Sequence, residues 1–126
     1  MSEVFGHVDT LPPTRIWDGV LARFVVSELI TMAIVELEPE SVVREHRHVN
    51  EQLGFVVEGS ITFTVDGETR TVGPGGTWRI LADVPHRAQA GPRGATVAEV
   101  YSPVRADWAA LGTEAPTPAR WPSGAG

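Results

Sequence analysis

The sequence predicts an all-β fold, a sandwich or jelly-roll barrel, on three observations: many short runs rich in Val, Ile and Thr, even punctuation by Gly and Pro, and little helical periodicity. A length of 126 residues with 42% hydrophobic content suits one domain with a real core. That domain is expected over residues 1–112, followed by a loose Pro/Ala/Gly-rich tail over 113–126.

The elements follow in order. An N-terminal strand arm carries Phe5, Ile16 and Trp17. Val20 to Val26 and Met32 to Leu37 read as strands, and Glu38-Pro39-Glu40-Ser41 reads as a turn. Ile61 to Val65 alternates apolar and hydroxyl residues, and Asp66-Gly67 then offers a two-residue hairpin turn into Glu68 to Val72. Gly73-Pro74-Gly75-Gly76 breaks the chain, and Thr77 to Leu81 resumes it. Asp83-Val84-Pro85 forms a turn that delivers His86. Arg87 to Ala90 and Thr96 to Tyr101 are expected as two further short strands, and Ala106 to Leu111 as a short C-terminal helix.

Composition narrows the chemistry. Without cysteine there are no disulfides, thiolate metal sites or Cys nucleophiles, so any metal must be held by nitrogen and oxygen. All ten basic residues are Arg, and with no Lys there is no Schiff-base route. A net charge of -6 argues against nucleic acid or an anionic membrane as partner. No apolar run reaches the ~20 residues of a membrane span, and Met1-Ser2-Glu3-Val4 lacks a signal-peptide pattern, so the cytoplasm is the expected compartment.

His46-Arg47-His48, followed by Gln52 and later by His86, is the chemically richest feature. Alternate residues of a strand share a face, so His46, His48 and Gln52 are expected to point into one space, with His86 arriving from the Pro turn. These side chains can close around one divalent transition metal: Zn, Ni, Fe, Mn or Co. The competing reading is a pair of surface histidines beside Arg44, Glu45 and Arg47. Glu51 is an alternative fourth ligand if a bulge turns it inward. With Gln52 the donor set is neutral and leaves the dipositive charge uncompensated, which favours a small anionic ligand. His7 stands alone and reads as a surface or interface residue.

The stretch His46-x-His48-x-x-x-Gln52, closing on Gly59, resembles the first cupin motif, where Glu is commoner than Gln at the fourth position. Gly75, Leu81, Asp83 and His86 follow the spacing of the second motif, although Leu81 and Asp83 stand where Pro and Gly are usual. The resemblance covers about residues 30 to 105. It implies a jelly-roll β-barrel with a metal held by the histidines and the Gln, and a homodimer.

Late in the chain, Glu99 and Tyr101 share strand parity with Val97, and Arg105 follows. The plain reading is a cross-strand ion pair between Glu99 and one of the arginines. With the first motif, however, this stretch is similar to small cupins of the KdgF type, which convert 4,5-unsaturated uronates to their linear ketonised form. There an Asp, an aromatic residue and an Arg serve catalysis and substrate binding, and by position they correspond to Glu99, Tyr101 and Arg105. Glu is one methylene longer than Asp, and Tyr adds a hydroxyl where Phe is common. The resemblance implies a metal-bound substrate, Arg105 paired bidentately with its carboxylate, and Glu99 shuttling a proton. Arg79 reads as a solvated outer-face residue, and Trp17 and Trp78 as mouth-lining, core or interface residues. The rival readings are a cupin dioxygenase, a cyclase of small enolisable compounds, and a non-enzymatic module that binds a small acid.

Overall fold

The computed structural model describes residues 4–121. After a short 3-10 turn at Val8–Thr10 come eight strands: β1 (Thr14–Trp17), β2 (Val20–Val26), β3 (Thr31–Leu37), β4 (Val42–His46), β5 (Glu51–Val65), β6 (Glu68–Val72), β7 (Thr77–Ile80) and β8 (His86–Ser102). One helical turn, α1 (Ala106–Ala109), follows.

β5 and β8 are the long strands, paired antiparallel along their length, and each serves two layers. In the first layer Glu51–Gly59 of β5 pairs Ala95–Ser102 of β8, which extends through β3 and β2 to β1, while β7 adds to the other side of β5. In the second, Ile61–Val65 pairs His86–Ala90, flanked by β6 and β4. The two layers face each other as a jelly roll, and their apolar inner faces, including Val20, Val35, Leu37, Val56, Ile61 and Val97, make one core. The layers are joined through the bends and are not hydrogen-bonded into a closed ring.

The sequence reading expected two short strands within what is one β8, because Gly91-Pro92-Arg93-Gly94 looks like a break. The chain bends there instead. Gly94 has φ +76, and a Cβ on it would meet the Leu37 carbonyl oxygen at 2.4 Å. Opposite it Gly59, at φ +81 beside register shifts in β5, would place a Cβ 2.2 Å from the Gly94 oxygen. Two glycines at the crossing let β5 and β8 turn together from one layer into the other. The Asp66-Gly67 hairpin forms as expected, with φ 48 and φ 84 at its two central residues.

Residues 113–121 contain no helix or strand, as their breakers predict, but they are tethered to the first layer. Glu114 pairs with Arg15 at 2.7 Å. Arg23, fully buried on the outer side of β2, donates to Glu36 at 3.1 Å, to the Leu11 carbonyl, and to Thr117 and the Pro118 carbonyl. The Arg120 backbone N–H closes on the same Glu36 oxygen. The remaining tail residues, 122–126, and residues 1–3 lie outside the described residues. Removing one partner of a buried ion pair strands the other without water. Arg23→Met is therefore expected to cost about 3 kcal/mol, read as a loss in the denaturant midpoint, and to increase protease cleavage between Glu114 and Arg120.

Candidate metal centre

The histidines meet at one end of the cavity between the layers, but not by the route that strand parity suggests. β4 ends at His46, whose Cα lies opposite His86 at the start of β8. His48 and Asn50 belong to the connection that follows, and Gln52 sits on β5. Parity along one strand is thus corrected to four candidate ligands carried by three strands and the connection between β4 and β5. The connection holds its shape because Asp83 N–H donates to the His48 carbonyl and the buried Asn50 amide donates to the Pro103 and Val104 carbonyls.

The ligand nitrogens of His46, His48 and His86 lie within 4.8 Å of one another. Each ring donates its Nδ1–H to a backbone carbonyl two residues away in sequence: His46 to Arg44 at 2.8 Å, His48 to Asn50 at 2.9 Å and His86 to Val84 at 2.9 Å. Those bonds select the tautomer with a lone pair on Nε2. The Nε2 atoms of His48 and His86 and the Oε1 of Gln52 are buried with no hydrogen-bond partner. Buried acceptors without donors are costly, and a cation satisfies all of them at once. The triad is able to hold a metal, and its nitrogen and oxygen chemistry suits a divalent transition ion. Gln52 is 5% exposed whereas Glu51 faces solvent, so β5 alternation removes Glu51 from the site.

Burial lowers the His86 pKa from 6.5 to about 4, and burial together with the Arg105 charge lowers that of His48. The His86 ring is therefore already deprotonated at pH 6, and His48 holds its proton less tightly than a free imidazole does. Metal uptake there is expected to release fewer protons than the roughly two that three ordinary imidazoles would give up, as measured by calorimetry in buffers of different ionisation enthalpy.

Glu99 lines the same cavity and is buried. Tyr101 donates to its Oε1 at 2.6 Å, while Trp78 Nε1 (2.9 Å) and the Gln52 Nε2 both donate to Oε2. Burial pushes the Glu99 pKa up, against the pull of those donors, and burial next to Glu99 pushes Tyr101 well above its ordinary value. The expected cross-strand pairing of Glu99 with an arginine is absent among the described residues. Arg105 does reach the cavity, stacked over the Tyr101 ring at 4.8 Å and the Trp108 ring at 4.2 Å. Its fork is not open, however: Nε and Nη2 donate to Asp107 at 3.0 and 2.8 Å. These bonds hold the Asp107 carboxyl below the usual range.

The cavity measures about 300 Å3 and has two characters. Around the histidines it is polar; elsewhere Val20, Val35, Leu37, Ile61, Phe63 and Val97 line it. Trp17 lines the cavity, 5.6 Å from the His46 ring, and also packs against the core. Arg79 is exposed, as expected, and so is His7, whose Nδ1 accepts from Asp9 N–H. Asp107 and Trp108 escaped the sequence reading. So did the contact of Trp78 with Glu99, which no local motif announces.

The Cupin domain family matches residues 33–101. The pectin degradation protein KdgF of Dickeya dadantii is 24% identical over 102 residues, covering 79% of this chain and 93% of that protein. Among solved structures, an RmlC-like cupin from Shewanella frigidimarina superposes with a TM-score of 0.78 at 23% identity, covering 84% of this chain and 96% of the other. KdgF from Halomonas sp. superposes at 0.77 with 22% identity, covering 84% and 98%. No helix among the described residues is long and apolar enough to cross a membrane. With the family matching more than half of the chain, across the stretch that contains all three histidines, the protein belongs to the cupin family.

Proposed function

We propose that the protein is a metal-dependent enzyme that opens and ketonises a small anionic sugar of the 4,5-unsaturated uronate type. One observation carries the reading: unpartnered ligand atoms of His48, His86 and Gln52 share a cavity with the Tyr101–Glu99 pair and Arg105. The likeness to KdgF, a pectin degradation protein, supports the substrate class. A divalent metal held by the triad and Gln52 would supply Lewis acidity toward substrate oxygens.

The chain's own groups handle protons and orientation. The Tyr101 hydroxyl donates to Glu99 and keeps its lone pairs for a substrate hydroxyl proton, which can pass to the carboxylate through the phenol. Loss of the anomeric hydroxyl proton with cleavage of the ring carbon–oxygen bond gives an aldehyde and an enolate. Return of the proton to the enolate carbon gives the ketone, so the reaction is an isomerisation that needs no oxidant. The experiment is to follow the conjugated-uronate absorbance with the metal-loaded protein, with and without chelator. Decay no faster than the spontaneous rate sinks the proposal, and oxygen uptake would favour a dioxygenase.

Substrate carboxylate must compete with Asp107 for the Arg105 fork. The Asp107 side chain is 61% exposed, so its exchange for another carboxylate is inexpensive. Asp107→Asn is expected to lower KM for the uronate about 3- to 10-fold, with kcat within about twofold, in steady-state assays at fixed metal.

A second reading has its own support in the apolar walls. Val, Leu, Ile and Phe side chains offer no partners to sugar hydroxyls, which favours an enolisable acid with an apolar body, as a cyclase would take. Screening aromatic enols beside uronates separates the two.

As partner we propose a second copy of the chain. On the outer side of the first layer Val25, Met32, Val100 and Leu53 are cross-strand neighbours in one row, all exposed, with Phe55 beside them. A flat apolar stripe of this kind suits an isologous sheet-to-sheet contact. Sedimentation equilibrium reads the mass directly.

A further inference from the structure

We infer that Trp78 and Glu99 form a buried clamp that turns the Gln52 amide so that its oxygen faces the histidines, making both of them positioning residues for the metal. The inference rests on the metal-binding half of the reading above and is independent of the substrate.

The clamp is built into the sheet register. β5 runs between β8 and β7, and Glu99, Gly54 and Trp78 lie in one row across the three strands. Because position 54 has no side chain, the indole lies over β5 and its Nε1 reaches the carboxylate two strands away, at 2.9 Å. A Cβ at position 54 would meet that ring at 2.6 Å. The next row holds Tyr101 and Gln52, so the Gln52 amide lies directly beside the same carboxylate.

Hydrogen-bond chemistry then leaves one orientation. Glu99 Oε2 already accepts from the indole N–H, which can only donate, so the edge of the amide turned toward that oxygen must be its NH2. The opposite edge, Oε1, is buried without a hydrogen-bond partner, and Gln52 lines the cavity together with the three histidines. A flipped amide would set oxygen against carboxylate oxygen and aim N–H groups at the lone pairs of the triad. Trp78 prevents the carboxylate from swinging away, since its N–H and the Gln52 N–H share Oε2 while Tyr101 holds Oε1. Glu99 therefore works on the metal through Gln52 and meets the cavity through Tyr101.

Cobalt(II) provides a probe that needs no substrate. Its affinity is read by competition with a chelator, and its d–d absorption reports the donor set. Trp78→Phe keeps a ring against Phe63, whose centroid is 4.6 Å from that of Trp78, and deletes the N–H. It is expected to raise the cobalt Kd about 10-fold, and Glu99→Gln about 10- to 100-fold, each with a changed spectrum. Tyr101→Phe, which touches only Oε1, should leave Kd within about twofold. Wild-type Kd and spectrum in Trp78→Phe overturn the inference, and that variant decides the matter if Glu99→Gln does not fold. A wild-type protein that takes up no cobalt overturns it together with the metal reading. Absence of uronate turnover in a protein that binds cobalt overturns only the substrate.

Discussion

His86→Ala is expected to weaken metal binding by about 100-fold and to reduce turnover to the level of the chelated protein. Tetrahedral zinc sites bind with about 10–16 kcal/mol spread over four ligands, so one ligand is worth roughly 3 kcal/mol, or about two decades of affinity. His86 is the most buried of the triad, at 3% exposure, and its Nε2 has no partner in the protein. Truncating it therefore removes a ligand and leaves only the Val84 carbonyl without the Nδ1–H that served it. The fold should persist, because position 86 is held through backbone pairing with His46 and Val65. Chelator competition and circular dichroism on the same sample separate the two effects. A variant that retained wild-type affinity would mean that the metal sits on other side chains.

The local chemistry of the chain was readable wherever one short segment determines it. Asp66-Gly67 announces a turn because both positions adopt positive φ, which few other pairs accept at low cost. The apolar runs of β2 and β3 were likewise evident. The histidines were found by spacing, yet the reason first assigned was incomplete: a bulge near His46 ends β4, and the loop anchored by Asn50, rather than strand parity, turns His48 inward. The N-terminal strand arm lacked sharp bounds because a four-residue edge strand such as β1 is defined by its partner more than by its own pattern.

What the sequence concealed depends on register between distant strands. Gly54 and Trp78 look unremarkable alone; they acquire a role only when β7 pairs β5 so that the indole crosses the vacant position to Glu99. Asp107 was overlooked for a different reason. It lies two residues after Arg105, and whether an arginine fork opens to a ligand or closes on its neighbour is decided by the turn into α1, not by composition.

Tyr101→Phe is the variant expected to separate chemistry from metal binding, with kcat falling about 100-fold and cobalt affinity unchanged. The Tyr101 hydroxyl is the one donor on Glu99 Oε1, while the Gln52 and Trp78 bonds to Oε2 do not involve it. Deleting the oxygen removes the bridge between cavity and carboxylate and leaves the clamp on Gln52 intact. It also takes a donor from a buried carboxylate whose pKa burial already raises, so the Glu99 pKa moves further up. Three donors enclose Glu99, so the proposed proton route runs through the phenol. The pH profile distinguishes the two routes. If the hydroxyl is the bridge, Tyr101→Phe loses turnover at every pH; if Glu99 meets the substrate directly, the variant keeps near-wild-type kcat with its acidic limb shifted to higher pH.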